Sequence, residues 1–384
     1  MLGKFFAKKA SKTVENRGDE MKADSDLEQL IKETLTHYVS DIFPQGVLVV
    51  CQQLAIEEAD DVIIKLTMPF VCQGELDLIA ENLSSTLAKS VRFSVDLNIK
   101  PVRQFSLTSA QGDRQAKIAN IIAVSSGKGG VGKSTTTVNL AYALMKEGAK
   151  VGILDADIYG PSIPAMLGVK NKKPSSNDGK LMIPLDAKGI SAMSIGFLVD
   201  EADATVWRGP MASSAFNQLL TETAWPELDY LLIDMPPGTG DIQLTLAQKV
   251  PVAAAVIVTT PQDIALIDAV KGIAMFDKVK VPVLGIVENM SYHLCEHCGH
   301  QSYIFGEHGG EHMAQDHQTK LLGQLPLDIA IRQDADLGES DIIENSTGEI
   351  ANHYRKIARN VSAQLFFQCD NASPYTASIE TKTI

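Results

Sequence analysis

Residues 127–134 carry the strongest chemical signature of the chain. They read GKGGVGKS, which fits the spacing G-x-x-x-x-G-K-[ST], and they stand between an apolar run, NIIAVSS, and a helical pattern. Glycines let backbone N–H groups curl around phosphates, a lysine ammonium reaches the β- and γ-phosphates, and a serine hydroxyl suits Mg²⁺. The positive end of the following helix also attracts anions. We therefore predict that ATP and Mg²⁺ are bound by Gly127, Lys128, Gly129, Gly130, Val131, Gly132, Lys133, Ser134 and Thr135.

A second lysine, Lys128, stands directly after the first glycine of this loop. Ordinary phosphate loops place no constraint on that position. A lysine there marks the deviant P-loop, in which the side chain can reach across a dimer to the partner's nucleotide. The alternative interpretation is a solvated lysine without a catalytic role.

Two acidic turns follow apolar strands and could complete a nucleotide-hydrolysing site. The run KVGILDA contains Asp155, with Asp157 two residues later, and the run YLLID ends at Asp234. Strand ends of this kind gather beside the phosphates in an open α/β sheet. We predict that Asp234 lies near Mg²⁺ and that Asp157 positions the attacking water. The predicted catalytic residues are these two carboxylates together with Lys128 and Lys133. Acids at strand ends are also common as helix caps, which is the competing interpretation.

Cys295 and Cys298 form a C-x-x-C within MSYHLCEHCGH, and this spacing lets two thiolates share one metal centre. The chain has no second C-x-x-C to complete a four-cysteine site. The residues alone leave two possibilities open. Either a second copy of the chain completes an iron–sulfur site, or a nearby histidine completes a zinc site: His293, His297 or His300. The remaining cysteines are isolated and are predicted to be small buried apolar residues: Cys51, Cys72 and Cys369.

Apolar strand-like runs alternate with helical patterns through the larger, later part of the chain. This alternation predicts an α/β P-loop NTPase domain, a parallel sheet covered by helices on both faces. Upstream, a helical stripe, two strands around an acidic turn, a second helix and a third strand predict a small α+β domain. The predicted limits are a disordered N-terminus (1–24), the small α+β domain (25–105), a linker (106–117), the ATPase domain with the C-x-x-C (118–368) and a disordered tail (369–384).

The composition narrows the possible partners. A formal net charge of −13 disfavours a general nucleic-acid binder, which needs a basic surface to displace counterions. No run of about 18 apolar residues exists, so we expect no membrane partner, and the basic first residues lack the apolar core of a signal peptide. Five cysteines in 384 residues do not make a disulfide framework. The sequence therefore predicts a cytoplasmic globular protein.

Seven motifs occur in one order and resemble those of the Mrp/ApbC family of iron–sulfur cluster carriers, within the MinD/ParA-like class of deviant P-loop ATPases. They are GKGGVGKST, LDADIYGPSIP, WRGPM, DMPPGTGD, TTPQDIALID, GIVENMS and C-x-x-C-G, and the resemblance covers about residues 115–365. It implies ATP hydrolysis, a homodimer, and a 4Fe–4S cluster held at the dimer interface by Cys295 and Cys298. It further implies apoprotein acceptors, a cluster-donating scaffold, and adenine contact by Asn289. Arg208, in WRGPM, receives no role.

Two other functions compete with a cluster carrier. A MinD/ParA-like ATPase that organises positions in the cell would leave the C-x-x-C unexplained, and its membrane-binding forms would need a basic amphipathic C-terminal helix. A P-loop ATPase with a structural zinc site would explain the cysteines without iron. Analysis for iron, labile sulfide and zinc separates the three.

Overall fold

The computed structural model describes residues 26–102, 118–176, 179–198 and 209–369. The predicted disordered N-terminus, the predicted linker, Arg208 and the predicted tail beyond residue 369 lie outside these ranges. The chain divides into two compact units. Of the described residues, the smaller includes 26–69 and 75–96, and the larger includes 70–74 and those from 97 to 369.

The smaller unit contains the predicted α+β elements. Helix α1 spans residues 26–37, and the elements that follow are β1 (Gln53–Glu58), β2 (Val62–Met68), α2 (Gln73–Leu87) and β3 (Val91–Leu97). Strands β1 and β2 pair antiparallel, with Ile56 opposite Ile64, and β3 lies on the other side of β2. Alternate residues of β2 and β3 are buried, because side chains along a strand point to opposite faces. One face of this sheet therefore forms the core of the unit.

The larger unit is built on one nine-stranded sheet, in the order β11-β10-β9-β4-β8-β5-β7-β6, with β12 paired to β10. Neighbouring strands run parallel except for β6 with β7 and β10 with β11. The bounds are β4 (Ile118–Ser125), β5 (Val151–Asp155), β6 (Leu185–Ala187), β7 (Ile190–Ser194), β8 (Leu228–Asp234), β9 (Ala254–Thr259), β10 (Val283–Leu294), β11 (Gln301–Ser302) and β12 (Leu321–Pro326).

Helices cover both faces of this sheet, as the alternating pattern predicts. They are α3 (Lys133–Lys146), α4 (Ile163–Met166), α5 (Gly209–Thr221), α6 (Asp241–Lys249), α7 (Asp263–Lys278), α8 (Gly309–Asp316), α9 (Ile329–Leu337), α10 (Asp341–Glu344) and α11 (Glu349–Cys369). All residues of β9 are buried, which explains its unbroken apolar sequence AAVIVT. In the part of the chain that is described, none of the helices has both the length and the apolar character that a membrane span requires.

A buried ion cluster fixes the helix that follows the phosphate loop. Glu147 lies at the end of α3, is fully buried, and accepts hydrogen bonds at 2.8 Å from both Arg355 and Arg359 of α11. Both guanidinium groups are themselves nearly buried. The Glu147 carboxylate also accepts from the backbone N–H of Gly74 at 2.8 Å, and its two bonds to arginine join helices α3 and α11 through buried charges.

We expect Glu147→Ala to lower the free energy of unfolding by about 3–5 kcal/mol, because two buried guanidinium groups lose their carboxylate. Urea unfolding measures the change. The matched control is Glu227→Ala, which removes an exposed partner of Lys150. Its effect should stay below about 1 kcal/mol, as for exposed ion pairs generally. Equal effects of the two substitutions would contradict this account of α3.

Candidate active site and cysteine pair

The phosphate loop joins the carboxyl end of β4 to the first turn of α3. Gly130 and Gly132 have φ angles of 81° and 82°, a backbone region that favours glycine. A Cβ atom at Gly130 would meet nothing within 4 Å, whereas one at Gly132 would lie 2.1 Å from Asn289 Nδ2. The loop thus has one open turn, whose backbone is free to approach a ligand, and one turn closed by packing against β10.

The side chains at the start of α3 converge on one carboxylate, Asp234, at the end of β8. Lys133 Nζ lies 2.7 Å from Asp234 Oδ1, and Ser134 Oγ donates to Asp234 Oδ2 at 2.6 Å. Thr137 Oγ1 donates to Asp234 Oδ1 at 2.9 Å. Asp234 is fully buried, so these donors compensate the loss of water around its charge. A hydroxyl and a carboxylate in contact form a donor set suited to Mg²⁺.

Asp155 lies beside Asp234, because these two residues are partners in the β5–β8 register. Its Oδ2 accepts from Ser194 Oγ at 3.0 Å, and its Oδ1 accepts from the backbone N–H of Asp157 at 3.1 Å. Burial and the neighbouring Asp234 raise the pKa of Asp155 well above its ordinary value, against the opposing effects of Ser194 and Lys133. Spacing along the chain does not assign Asp155 a role at the site, although DAD contains both acids. The structure places it at the centre of the carboxylate group.

Asp157 follows in the turn after β5, with its Oδ2 3.9 Å from Lys133 Nζ. Burial raises its pKa, the Lys133 ammonium opposes that rise, and Asp234 adds to it. Its side chain is 13% exposed, compared with 0% for Asp234. Asp157 is therefore the acid of this group that faces the accessible side of the site, where a water could reach it.

The entrance of the phosphate loop contacts the loop that follows β8. The backbone N–H of Gly238 donates to Ser126 O at 3.0 Å, and Ser126 Oγ donates to Lys128 O at 2.9 Å. The Lys128 side chain is half-buried, and in the described ranges no carboxylate forms an ion pair with its ammonium. The hydrogen bond from Ser126 therefore fixes the backbone at Lys128, while the Lys128 ammonium forms no ion pair in the described ranges.

Asn289, predicted to contact adenine, lies in β10 and is buried. Its Nδ2 donates to Val131 O in the phosphate loop at 2.9 Å. The structure therefore brings Asn289 to the same site as Lys133, Asp157 and Asp234. The hydrogen bond to Val131 O ties the Asn289 side chain to the backbone of the phosphate loop.

Cys295 and Cys298 occupy the tight turn between β10 and β11. His293 pairs with Ser302, Cys295 N donates to His300 O at 3.0 Å, and Gly299 N donates to Cys295 O at 2.8 Å. Backbone N–H groups of His297 and Cys298, and then the Cys298 side chain, hydrogen-bond to the Cys295 sulfur and lower its pKa. Such donors stabilise a thiolate, which is the form that binds metal.

The other candidate ligands do not join this pair within one chain. Among the residues that the structure describes, no group of three histidine, cysteine or acidic side chains could hold a metal ion. His293 Nδ1 is 3.2 Å from Leu327 O. Cys51 and Cys72 are buried, as predicted, and burial raises the pKa of Cys51 to about 11. The Cys369 side chain lies outside the described residues.

The two sites are separate but share a strand. The phosphate loop, Asp155, Asp157 and Asp234 meet at the carboxyl ends of β4, β5 and β8. The cysteine pair lies beyond the end of β10, the strand that also carries Asn289. Cys295 is the sixth residue after Asn289, an offset that corresponds to about 20 Å of extended chain.

Comparisons with known proteins return a P-loop NTPase family model and relatives named as iron-sulfur cluster carrier or transfer proteins. The family model described as "ParA: NUBPL iron-transfer P-loop NTPase" matches residues 117–362. The chain is 50% identical over 359 residues to the iron-sulfur cluster carrier protein of Escherichia coli strain K12, covering 92% of this chain and 96% of that protein. It is 49% identical over 249 residues to the iron-sulfur cluster transfer protein NUBPL of Dictyostelium discoideum, covering 65% and 77%.

A solved structure shows the same fold. A nucleotide-binding protein from Archaeoglobus fulgidus, in complex with ADP, superposes with a TM-score of 0.52 at 43% sequence identity. The match covers 58% of this chain and 87% of that one.

We expect the raised pKa of Asp155 to make stability depend on pH, with the following sign. A carboxyl whose pKa is higher in the folded than in the unfolded protein favours the folded state at low pH and loses that advantage as pH rises above its ordinary value of 3.8. Without Mg²⁺, Asp155→Asn should therefore be more stable than the parent at pH 7, and the difference should shrink toward pH 4. Urea unfolding at several pH values measures this. The exposed control Asp316→Asn should show no such trend; a larger advantage of Asp155→Asn at pH 4 than at pH 7 would overturn the assignment.

Proposed function

The chain belongs to the ParA/NUBPL family of iron-transfer P-loop NTPases, and we propose that it hydrolyses ATP and carries a 4Fe–4S cluster at the interface of a homodimer. The cluster is cargo, received from a scaffold and transferred to apoproteins. One observation carries the proposal. The turn between β10 and β11 stabilises a thiolate at Cys295, yet the described part of one chain supplies no third ligand beside the pair.

The nucleotide site has the groups that phosphoryl transfer requires. The backbone from Gly127 to Thr135 would surround the phosphates, and Lys133 would neutralise their charge. Ser134 and Asp234, already in contact at 2.6 Å, would hold Mg²⁺, which supplies further positive charge when bound. The open turn at Gly130 fits this role, because even a Cβ atom there would meet nothing within 4 Å.

Asp157 is the proposed positioning group for the attacking water. It is the carboxylate on the accessible side of the site, and Lys133 lies between it and Asp234. Asp155 is buried behind them, and its hydrogen bond to the Asp157 backbone fixes the turn that presents Asp157. The proposed roles of the three acids follow from how deeply each is buried. Asp155 fixes the turn that carries Asp157, Asp157 orients the attacking water, and Asp234 holds Mg²⁺.

The cysteine site is half of a cluster site. A 4Fe–4S cluster usually takes four thiolates, and Cys295 with Cys298 supplies two. Cys298 is exposed and Cys295 is half-buried, so a second copy can approach both sulfurs. A cluster shared across such a seam is reachable by another protein, which suits transfer. A zinc site is the competing outcome, because the same turn would also serve zinc.

Lys128 should act on the nucleotide of the partner chain. Its ammonium has no ion-pair partner in the described ranges, and a charge supplied in trans would stabilise the phosphoryl group in transfer. Lys128→Ala and Lys133→Ala should each be inactive alone. Mixed dimers of the two variants should regain part of the ATPase rate, because one of their sites has both lysines. Inactivity of every mixture, with mixed dimers verified by mass, would place Lys128 in cis or outside catalysis.

Anaerobic reconstitution with iron and sulfide should give a broad absorbance near 400 nm, roughly as iron–sulfur clusters do generally. Cys295→Ser or Cys298→Ser should abolish the absorbance while ATP binding is retained, because the cysteine turn lies away from the phosphate loop. Cys51→Ala and Cys72→Ala are the matched controls and should keep the cluster, since both thiols are buried elsewhere. One zinc per chain without labile sulfide would refute the cluster proposal and leave the ATPase proposal standing.

A further inference from the structure

Strand β10 connects the phosphate loop to the cysteine turn through direct contacts. At one end, Asn289 Nδ2 donates to Val131 O, and the same amide packs so closely on Gly132 that no Cβ would fit there. At the other end, the strand ends at Leu294, and Cys295 is the next residue. A movement of the phosphate loop therefore acts directly on a residue of the strand that carries the cysteines.

The residue before Asn289 anchors the strand. Glu288 is fully buried, and its Oε1 accepts from Ser291 Oγ at 2.6 Å and from Gln324 Nε2 of β12 at 2.9 Å. Its Oε2 accepts from the backbone N–H of Gly310, in the first turn of α8. Three donors from three segments hold this carboxylate, so the strand cannot shift as a unit at Glu288 without breaking buried hydrogen bonds.

The strand is irregular immediately after this anchor. Met290 has a φ angle of 55°, in the left-handed region that non-glycine residues rarely adopt. The pairing of β10 with β12 shifts register between Glu288 and Tyr292, which marks a bulge. Bulges re-aim the side chains that follow them, and strained residues of this kind cluster at functional sites. The bulge lies between the nucleotide contact and the cysteines.

Beyond the bulge, the strand is again held. Tyr292 pairs with Pro326 of β12, and Leu327 N donates to Tyr292 O at 2.6 Å. Leu294 pairs with Gln301 in the hairpin that carries the cysteines. Within the stretch from Glu288 to Leu294, the register shift lies between Glu288 and Tyr292, the interval that contains Met290.

We propose that nucleotide occupancy is transmitted to the cysteine pair within a single chain, along β10, with Glu288 as the fixed anchor and Met290 as the pivot. The proposal deepens the function proposed above, because it assigns residues to the coupling between the nucleotide and the cargo. It does not depend on which metal the cysteines hold. The coupling is a property of the strand, and it exists before any cluster is bound.

The test measures alkylation of Cys295 and Cys298 by iodoacetamide in metal-free, full-length protein, with each site read by peptide mass spectrometry. Rates are compared without nucleotide, with Mg·ADP and with a non-hydrolysable ATP analogue, and the oligomeric state is recorded by light scattering. The parent protein should show a nucleotide-dependent change of about fivefold or more, as for typical coupling between two sites. Cys51 and Cys72 should show no change, because both are buried.

Two variants at one position separate backbone strain from side-chain loss. Met290→Gly and Met290→Ala both remove the methionine side chain, but only glycine relaxes a backbone with φ of 55°. Met290→Gly should reduce the nucleotide effect to under about twofold, with nucleotide affinity and oligomeric state unchanged, while Met290→Ala should retain most of it. Ser291→Ala, which loosens the Glu288 anchor, should weaken the effect independently.

Three results would overturn the proposal: cysteines in the parent that do not respond to nucleotide, a full response in both Met290→Gly and Ser291→Ala, or equal losses in the glycine and alanine variants. A cluster count that finds zinc leaves these alkylation results intact. Failure of the cluster proposal and failure of the coupling proposal are therefore distinguishable.

Discussion

The ATPase unit depends on one buried carboxylate at the end of its central sheet. Asp234 has no exposed surface, yet it carries a charge opposite Lys133 and accepts from Ser134 and Thr137. Every one of these donors comes from the first two turns of α3, so a single acid fixes the helix whose N-terminus begins the phosphate site. The placement of Asp155 and Asp157 follows, because β5 pairs with β8 in a register that sets Asp155 beside Asp234. Removing that charge would leave the buried Lys133 with only the more distant carboxylate of Asp157, at 3.9 Å, and would remove the acceptor of Ser134 and Thr137.

The nucleotide site and the cysteine site differ in how many of their groups one chain supplies. One chain brings Lys133, Ser134 and Asp234 together at the phosphate loop, and the proposed function adds only Lys128 from a partner, whereas the described part of one chain gives the cysteine turn two thiols and no third ligand. On the proposed function, the cysteine site forms only when two chains assemble, whereas nucleotide can bind at the phosphate loop of each chain. Strand β10 belongs to both, through Asn289 at the loop and Cys295 at the turn.

The sequence predicts local features well, because the chemistry that fixes them is local. The parallel sheet with helices on both faces and the small α+β unit follow from apolar periodicity, and the fold confirms them; the predicted phosphate loop lies between β4 and α3. Features that depend on distant partners are not predictable in this way. Glu147 meets Arg355 across 208 residues of chain, and the importance of Asp155 depends on its neighbour in another strand. Met290 carries no signal at all, because a positive φ angle is expected of glycine and not of methionine.

The proposed cluster site requires two chains to complete one set of cysteine ligands. Native mass spectrometry of the anaerobically reconstituted protein tests it most directly, because it weighs the assembly with its cargo in place. We expect a dimer whose mass exceeds that of two chains by about four irons and four sulfides, with no metal on monomers. A monomer that carries its own metal, or a dimer with one metal ion on each chain, would contradict it.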